Sequence, residues 1–186
     1  MDDLHLWGPL APLIGTWEGN DGLDIAFHNV AGTMGETPFR ERTTFVPYGP
    51  VVNGAQSLYG LDYRTAAWRG DEELPFHTEI GAWLWDADTG HVMRCFVVPR
   101  GTALLAGAVA GPDDRTFTMK ASEGSSEFGI LSSPYLAREA RTVRYECTVT
   151  VHDDGSYSYE ETTVLDLKRY DGDCLHVDKN TLRRVE

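Results

Sequence analysis

The sequence predicts an all-β fold, an antiparallel up-and-down barrel of about ten strands entered through a short N-terminal helical segment. Three observations carry that expectation. Short runs rich in β-branched and aromatic residues recur along most of the chain. Clusters of Asp, Asn and Gly separate them, and these residues suit the tight turns of hairpins. The runs alternate apolar and polar residues with the period of two that a half-buried strand requires.

Residues 4–14 mix apolar side chains with Pro9 and Pro12 and read as an irregular or short helical lead-in. Gly15-Thr16-Trp17-Glu18-Gly19 begins the ordered body. Strands are expected at 39–47, 56–64, 76–85, 92–98, 103–110, 116–121, 141–152, 156–167 and 175–185. Asp86-Ala87-Asp88-Thr89-Gly90, Gly111-Pro112-Asp113-Asp114 and Asp153-Asp154-Gly155 supply turns between them. Connections this short favour neighbouring antiparallel strands over crossovers. In 141–152, Val143, Tyr145, Cys147, Val149 and Val151 fall on one face, while Thr142, Arg144, Glu146, Thr148 and Thr150 fall on the other. Helical periodicity is confined to the lead-in and to 133–140. A sheet of so many strands must hide its edges; a closed barrel does so and leaves an interior that can hold one small ligand, with a flat sandwich as the rival fold. No linker or repeat interrupts the chain, so residues 1–186 form one domain.

Composition narrows the partners. A formal net charge of −13 repels phosphate backbones and anionic lipid surfaces, so neither nucleic acid nor a membrane is expected. Cys95, Cys147 and Cys174 are odd in number and form no CxxC pair, which argues against a disulfide framework or a zinc knuckle and fits a reducing compartment. Residues 1–5 are acidic and lack the basic start of a signal peptide. The longest apolar stretch, 102–111, is too short to span a bilayer. The expected location is the cytoplasm.

Of the six histidines, His77 and His176 lie within predicted strands and His152 ends one beside a turn. His5, His91 and His152 lie in the lead-in or beside turns and read as solvated. His176 shares a strand face with Asp178, Asn180, Leu182 and Arg184. If that face lines a cavity, a neutral imidazole there suits iron, because a porphyrin supplies the other four nitrogens. The alternative is a histidine hydrogen-bonded to a neighbour such as Asp178. His77 shares a face with Glu79, Gly81, Trp83 and Trp85. It reads either as a residue at the pocket rim, on the distal side of a bound ligand, or as half of a structural His77–Glu79 pair. Arg100 reads as a surface turn residue or as a partner for a ligand carboxylate. No nucleophile elbow, Walker loop or HExxH is present, and no catalytic residue is assigned.

Gly15-Thr16-Trp17, with Arg183 and Arg184 near the chain end, resembles the pattern of lipocalins and fatty-acid-binding proteins, in which an early tryptophan closes the barrel base against a late arginine. The chain more closely resembles the nitrobindin family of haem-binding barrels. Leu10-Ala11-Pro12-Leu13-Ile14-Gly15-Thr16-Trp17-Glu18-Gly19 is similar to that family's GxWxGxG opening, and Pro75-Phe76-His77-Thr78-Glu79-Ile80-Gly81-Ala82-Trp83 to its PxHxExGxW stretch. The resemblance implies a calycin-like barrel holding a solvent-edged ferric haem b, with His176 as the iron ligand and Gly15, Trp17, Gly19 and His77 at cofactor-binding positions. It also implies reaction with nitric oxide or isomerisation of peroxynitrite to nitrate. The chain departs from the family pattern in three places: its third glycine, Gly22, comes one place late; Asp178 and Asn180 make the ending polar; and the loop 122–138 is long.

The expected partner is therefore a small molecule (haem, nitrogen oxides or an apolar ligand), and a homodimer is the assembly to test. Two other readings stand beside the haem protein. One is a non-catalytic carrier of a fatty acid or similar apolar molecule, anchored by Arg184 or Arg100. The other is a barrel filled by its own aromatic side chains, among them Trp68, Trp83, Trp85, Tyr59, Tyr63, Tyr145, Tyr157 and Tyr159.

Overall fold

The strand runs read from the sequence close on themselves in the computed structural model, which describes residues 3–186. Met1 and Asp2, part of the segment on which the expectation of no signal peptide rests, lie outside the described residues. A 3-10 segment, Leu4–Leu13, leads into strands β1 (Gly15–His28), β2 (Thr33–Asn53), β3 (Gln56–Trp68), β4 (His77–Asp86), β5 (His91–Val98), β6 (Thr102–Val109), β7 (Thr116–Glu123) and β8 (Gly129–Ser132). A one-turn helix, α1 (Leu136–Glu139), precedes β9 (Ala140–Val151), β10 (Tyr157–Leu167) and β11 (Asp173–Arg184). These eleven strands form one closed barrel, ordered β1-β11-β10-β9-β7-β8-β6-β5-β4-β3-β2, and β1 pairs with β11 to seal it. No helix among the described residues is long and apolar enough to cross a membrane.

The sandwich is thereby excluded, and one strand is added to the expected set. β8 lies inside the long loop. β6 and β7 meet only at Gly107 and Lys120, and β8 fills the remaining gap, antiparallel to β6 and parallel to β7. The face assignment in β9 holds for Tyr145, Cys147, Val149 and Val151, all buried, but reverses at its start. Thr142 is buried where Val143 was expected, because the β9–β10 ladder slips between Val164 and Leu165 and skips Val143. A bulge of this kind inserts one residue and inverts the alternation beyond it.

One end of the barrel is plugged. Leu10 and Leu13 are fully buried beneath it, and Trp7 Nε1 donates to the Gly60 carbonyl at 2.9 Å. Gly8 has a φ of 53° and lies against the Trp85 ring, where a Cβ would come within 2.5 Å of the indole. Trp17 Nε1 donates to the Leu13 carbonyl at 2.6 Å, and the Arg184 guanidinium lies 4.6 Å from the Trp17 ring centroid. Arg184 also donates to the carbonyls of Pro12 and Ile14. Above this base, Phe45, Tyr63, Trp83 and Tyr157 pack edge-to-face or stacked and fill the lower interior. Aromatic filling thus accounts for the lower half of the barrel and stops short of the upper half.

Candidate functional site

The other end is open. It gathers the beginnings of β4, β6, β9 and β11 and the ends of β5 and β10 around a cavity of about 180 Å³. Phe96 and Val98 from β5, Leu104 from β6, Leu136 from α1 and Leu165 from β10 form an apolar wall. His77 and Glu79 from β4, with His176 and Asp178 from β11, form a polar one. Asp24, Arg69, Arg100 and Arg169 surround the mouth above.

Period two puts His176 inside, as expected. Asn180 and Leu182, on the same face of β11, are buried. The ring borders the cavity, and its Nε2 lies 3.0 Å from Asp178 Oδ2. A second partner, Asp24 Oδ1 at 2.9 Å, was not anticipated. Asp24 and Asp178 stand directly opposite in the β1–β11 ladder, and like charges in that position repel. The imidazole sits between them and relieves the repulsion. Burial opposes charging the ring, but the hydrogen bonds and charges of Asp178 and Asp24 prevail and raise its pKa to about 10. The two carboxylates thus favour the protonated ring.

His77 opens β4, and its Nε2 lies 3.1 Å from Glu79 Oε1, so it is at once a cavity residue and half of a polar pair. Burial lowers its pKa, yet the Glu79 hydrogen bond and charge bring it to a net rise.

The cavity floor is a buried network centred on Arg94 of β5. Its guanidinium donates to Glu79 Oε2 at 2.5 Å and to Glu161 Oε2 at 2.6 Å. Tyr63 and Tyr145 each donate to one of these carboxylates at 2.6 Å, and the Phe96 ring lies 4.4 Å from the guanidinium carbon. Burial would raise the Glu79 carboxyl, but Arg94, with help from His77 and Tyr63, outweighs it and holds the pKa at about 2. For Glu161 burial prevails over Arg94, and the pKa rises. Two carboxyl groups on one guanidinium are thus driven apart. Neither Arg94 nor Glu161 was singled out in the sequence. A signal existed: Val92, Arg94, Phe96 and Val98 share one strand face, so a charge at the second position had to point inward.

Other expected site residues lie elsewhere. Gly15 and Trp17 belong to the plugged base; Gly19, further along β1, packs against Asn180, and a Cβ there would sit 2.7 Å from its amide. None of the three borders the mouth cavity. Arg100 does border it, whereas Arg184 is committed to the base. His91 bonds to Thr89 in a turn, and His152 bonds to Ser158 at 2.8 Å.

A family model described as "THAP4-like, heme-binding beta-barrel domain" matches residues 7–184. Among solved structures, the chain is similar to that titled "Crystal Structure of Rv2717c from M. tuberculosis", with a TM-score of 0.65 and 14% sequence identity over 95% of each chain. At that identity the likeness bears on the fold. None of the curated proteins matches the chain.

Proposed function

Because the chain belongs to the THAP4-like, heme-binding beta-barrel domain family, the one its nitrobindin resemblance indicated, we propose that it binds haem b in the mouth of its barrel. The observation that carries this reading is the position of His176, on the inward face of β11, where its ring lines the same cavity as Phe96, Val98, Leu104, Leu136 and Leu165.

The residues present fit such a group. The apolar wall matches a porphyrin face, and Arg69 and Arg100 at the mouth suit its carboxylates. His176 would hold the iron through Nε2. That nitrogen is shared by Asp24 and Asp178 in this structure, so the chain must release it from both carboxylates before it could hold iron. Bound haem would supply iron chemistry toward nitric oxide, peroxynitrite or peroxide.

The chain's own contributions are simpler. The apolar wall excludes water from one side of the cavity. The His77–Glu79 pair holds a proton at His77 Nε2 beside the floor. Arg94 keeps Glu79 ionised. Reaction with nitric oxide, or isomerisation of peroxynitrite to nitrate, is the activity this reading implies, in a cytoplasmic setting that suits three free cysteines.

A fatty-acid carrier is the weaker reading. Of its two expected anchors, Arg184 is outside the cavity and Arg100 borders the mouth, while the interior guanidinium of Arg94 is already paired with Glu79 and Glu161. Hemin titration tests the haem proposal. Saturable uptake with a Soret band, lost in His176→Ala, is expected. No saturable uptake would end the proposal. Sedimentation of the same samples reads whether the chain is a homodimer.

A further inference from the structure

We propose that Asp24, His176 and Asp178 form a site for one divalent transition-metal cation, bound without a porphyrin. The three residues offer one ligand atom each, all within 4.8 Å of one another. The site is assembled by the seam of the barrel: Asp24 and Asp178 are opposite neighbours across β1 and β11, and Glu161 of β10 is the next residue in the same row. Three carboxyl groups therefore stand side by side on three adjacent strands. A dication held by a neutral imidazole would balance the charges of both aspartates.

The donor set selects the class of ion. One imidazole and two carboxylates suit zinc and its neighbours in the first transition row. Calcium asks for six to eight oxygens and magnesium for a near-ideal octahedron of them, and this trio offers too few. Bonds to zinc of about 2.0–2.2 Å put tetrahedral ligand atoms roughly 3.4 Å apart. The Nε2-to-oxygen distances of 2.9 and 3.0 Å need to widen by only a few tenths of an ångström. Three protein ligands leave a fourth position open, as in zinc sites that do chemistry rather than hold a fold together. Asp24, His176 and Asp178 all border the mouth cavity, so that position faces solvent and the Arg69, Arg100 and Arg169 side chains. Water or a small anion would fill it.

The inference does not rest on haem binding. Both readings use the same nitrogen, so metal and haem exclude one another at His176. The test is calorimetric titration of the chelator-stripped full chain with zinc sulfate, with cobalt(II) as a spectroscopic probe. Saturable binding of one zinc per chain is expected, weakened at least about tenfold in Asp24→Asn and in His176→Gln and unchanged in His152→Gln. Circular dichroism checks that the variants fold. Should they not fold, the wild-type chain with cobalt decides. Intense visible bands signal tetrahedral ligation by nitrogen and oxygen, and the weak bands of hydrated cobalt overturn the site. Absence of saturable zinc binding, or binding unaltered in both Asp24→Asn and His176→Gln, also overturns it. Hemin uptake without zinc binding removes this proposal and leaves the haem reading intact. Zinc binding without hemin uptake does the reverse.

Discussion

His176 and Asp24, 152 positions apart in the chain, meet at 2.9 Å across the seam where the last strand of the barrel joins the first. Barrel closure brings them together, and Asp178 completes the contact from the same strand as the histidine. The group at the centre of the proposed site is thus also a fastening of the fold.

That fastening has a pH signature. The His176 pKa is raised from 6.5 to about 10, so the proton it holds in the folded state is worth most below pH 6.5 and nothing above about pH 10. Stability relative to His176→Gln should fall by roughly 3 kcal/mol as pH rises through that window. Urea unfolding of both proteins from about pH 6 to about pH 11 measures it. A constant difference would mean that the ring is not ion-paired.

Arg94 makes the opposite prediction on the acid side. Glu79 is held at about 2 against its ordinary 4.5, so its contribution is complete above pH 4.5 and lost as pH falls through 2. Arg94→Leu leaves two buried carboxyl groups without their cation and should cost about 3–5 kcal/mol at neutral pH. The triple variant Arg94→Leu, Glu79→Gln, Glu161→Gln should regain much of that loss. Denaturant midpoints of the two variants check both statements.

The base should separate from the mouth. Trp17→Ala removes a fully buried indole and should cost about 3–5 kcal/mol, and Arg184→Ala, which loses an exposed cation–π contact, about 1 kcal/mol. Neither change touches the cavity, so hemin affinity of the folded Arg184→Ala protein should match that of the wild type. A tenfold loss would return Trp17 and its neighbours to the binding site.

Gly81 tests the packing of the barrel wall. A Cβ at this position would lie 1.9 Å from the Cys95 carbonyl oxygen, which is backbone and cannot swing aside. Gly81→Ala should therefore destabilise the protein by about 2–3 kcal/mol or prevent folding, as read by thermal unfolding.

Most strands and the barrel itself were legible in the sequence because alternation and turn chemistry are local signals. Tyr145, Cys147 and Val149 announce an inward face within five residues. The slip at Val143 was not legible, since a bulge depends on the register of the partner strand. β8 escaped because four residues are too few to show a period. His176 and Asp178 were visible as neighbours on one strand face, but Asp24 joins them only through closure of β1 on β11. Arg94 reaches Glu161 across 67 positions for the same reason.

The most direct test of the central claim is chemical rescue at His176. His176→Gly protein mixed with hemin should lack the wild-type Soret spectrum and acquire it on addition of free imidazole, which can enter the space the side chain vacates. An unaltered spectrum in His176→Gly, with no response to imidazole, would contradict the account.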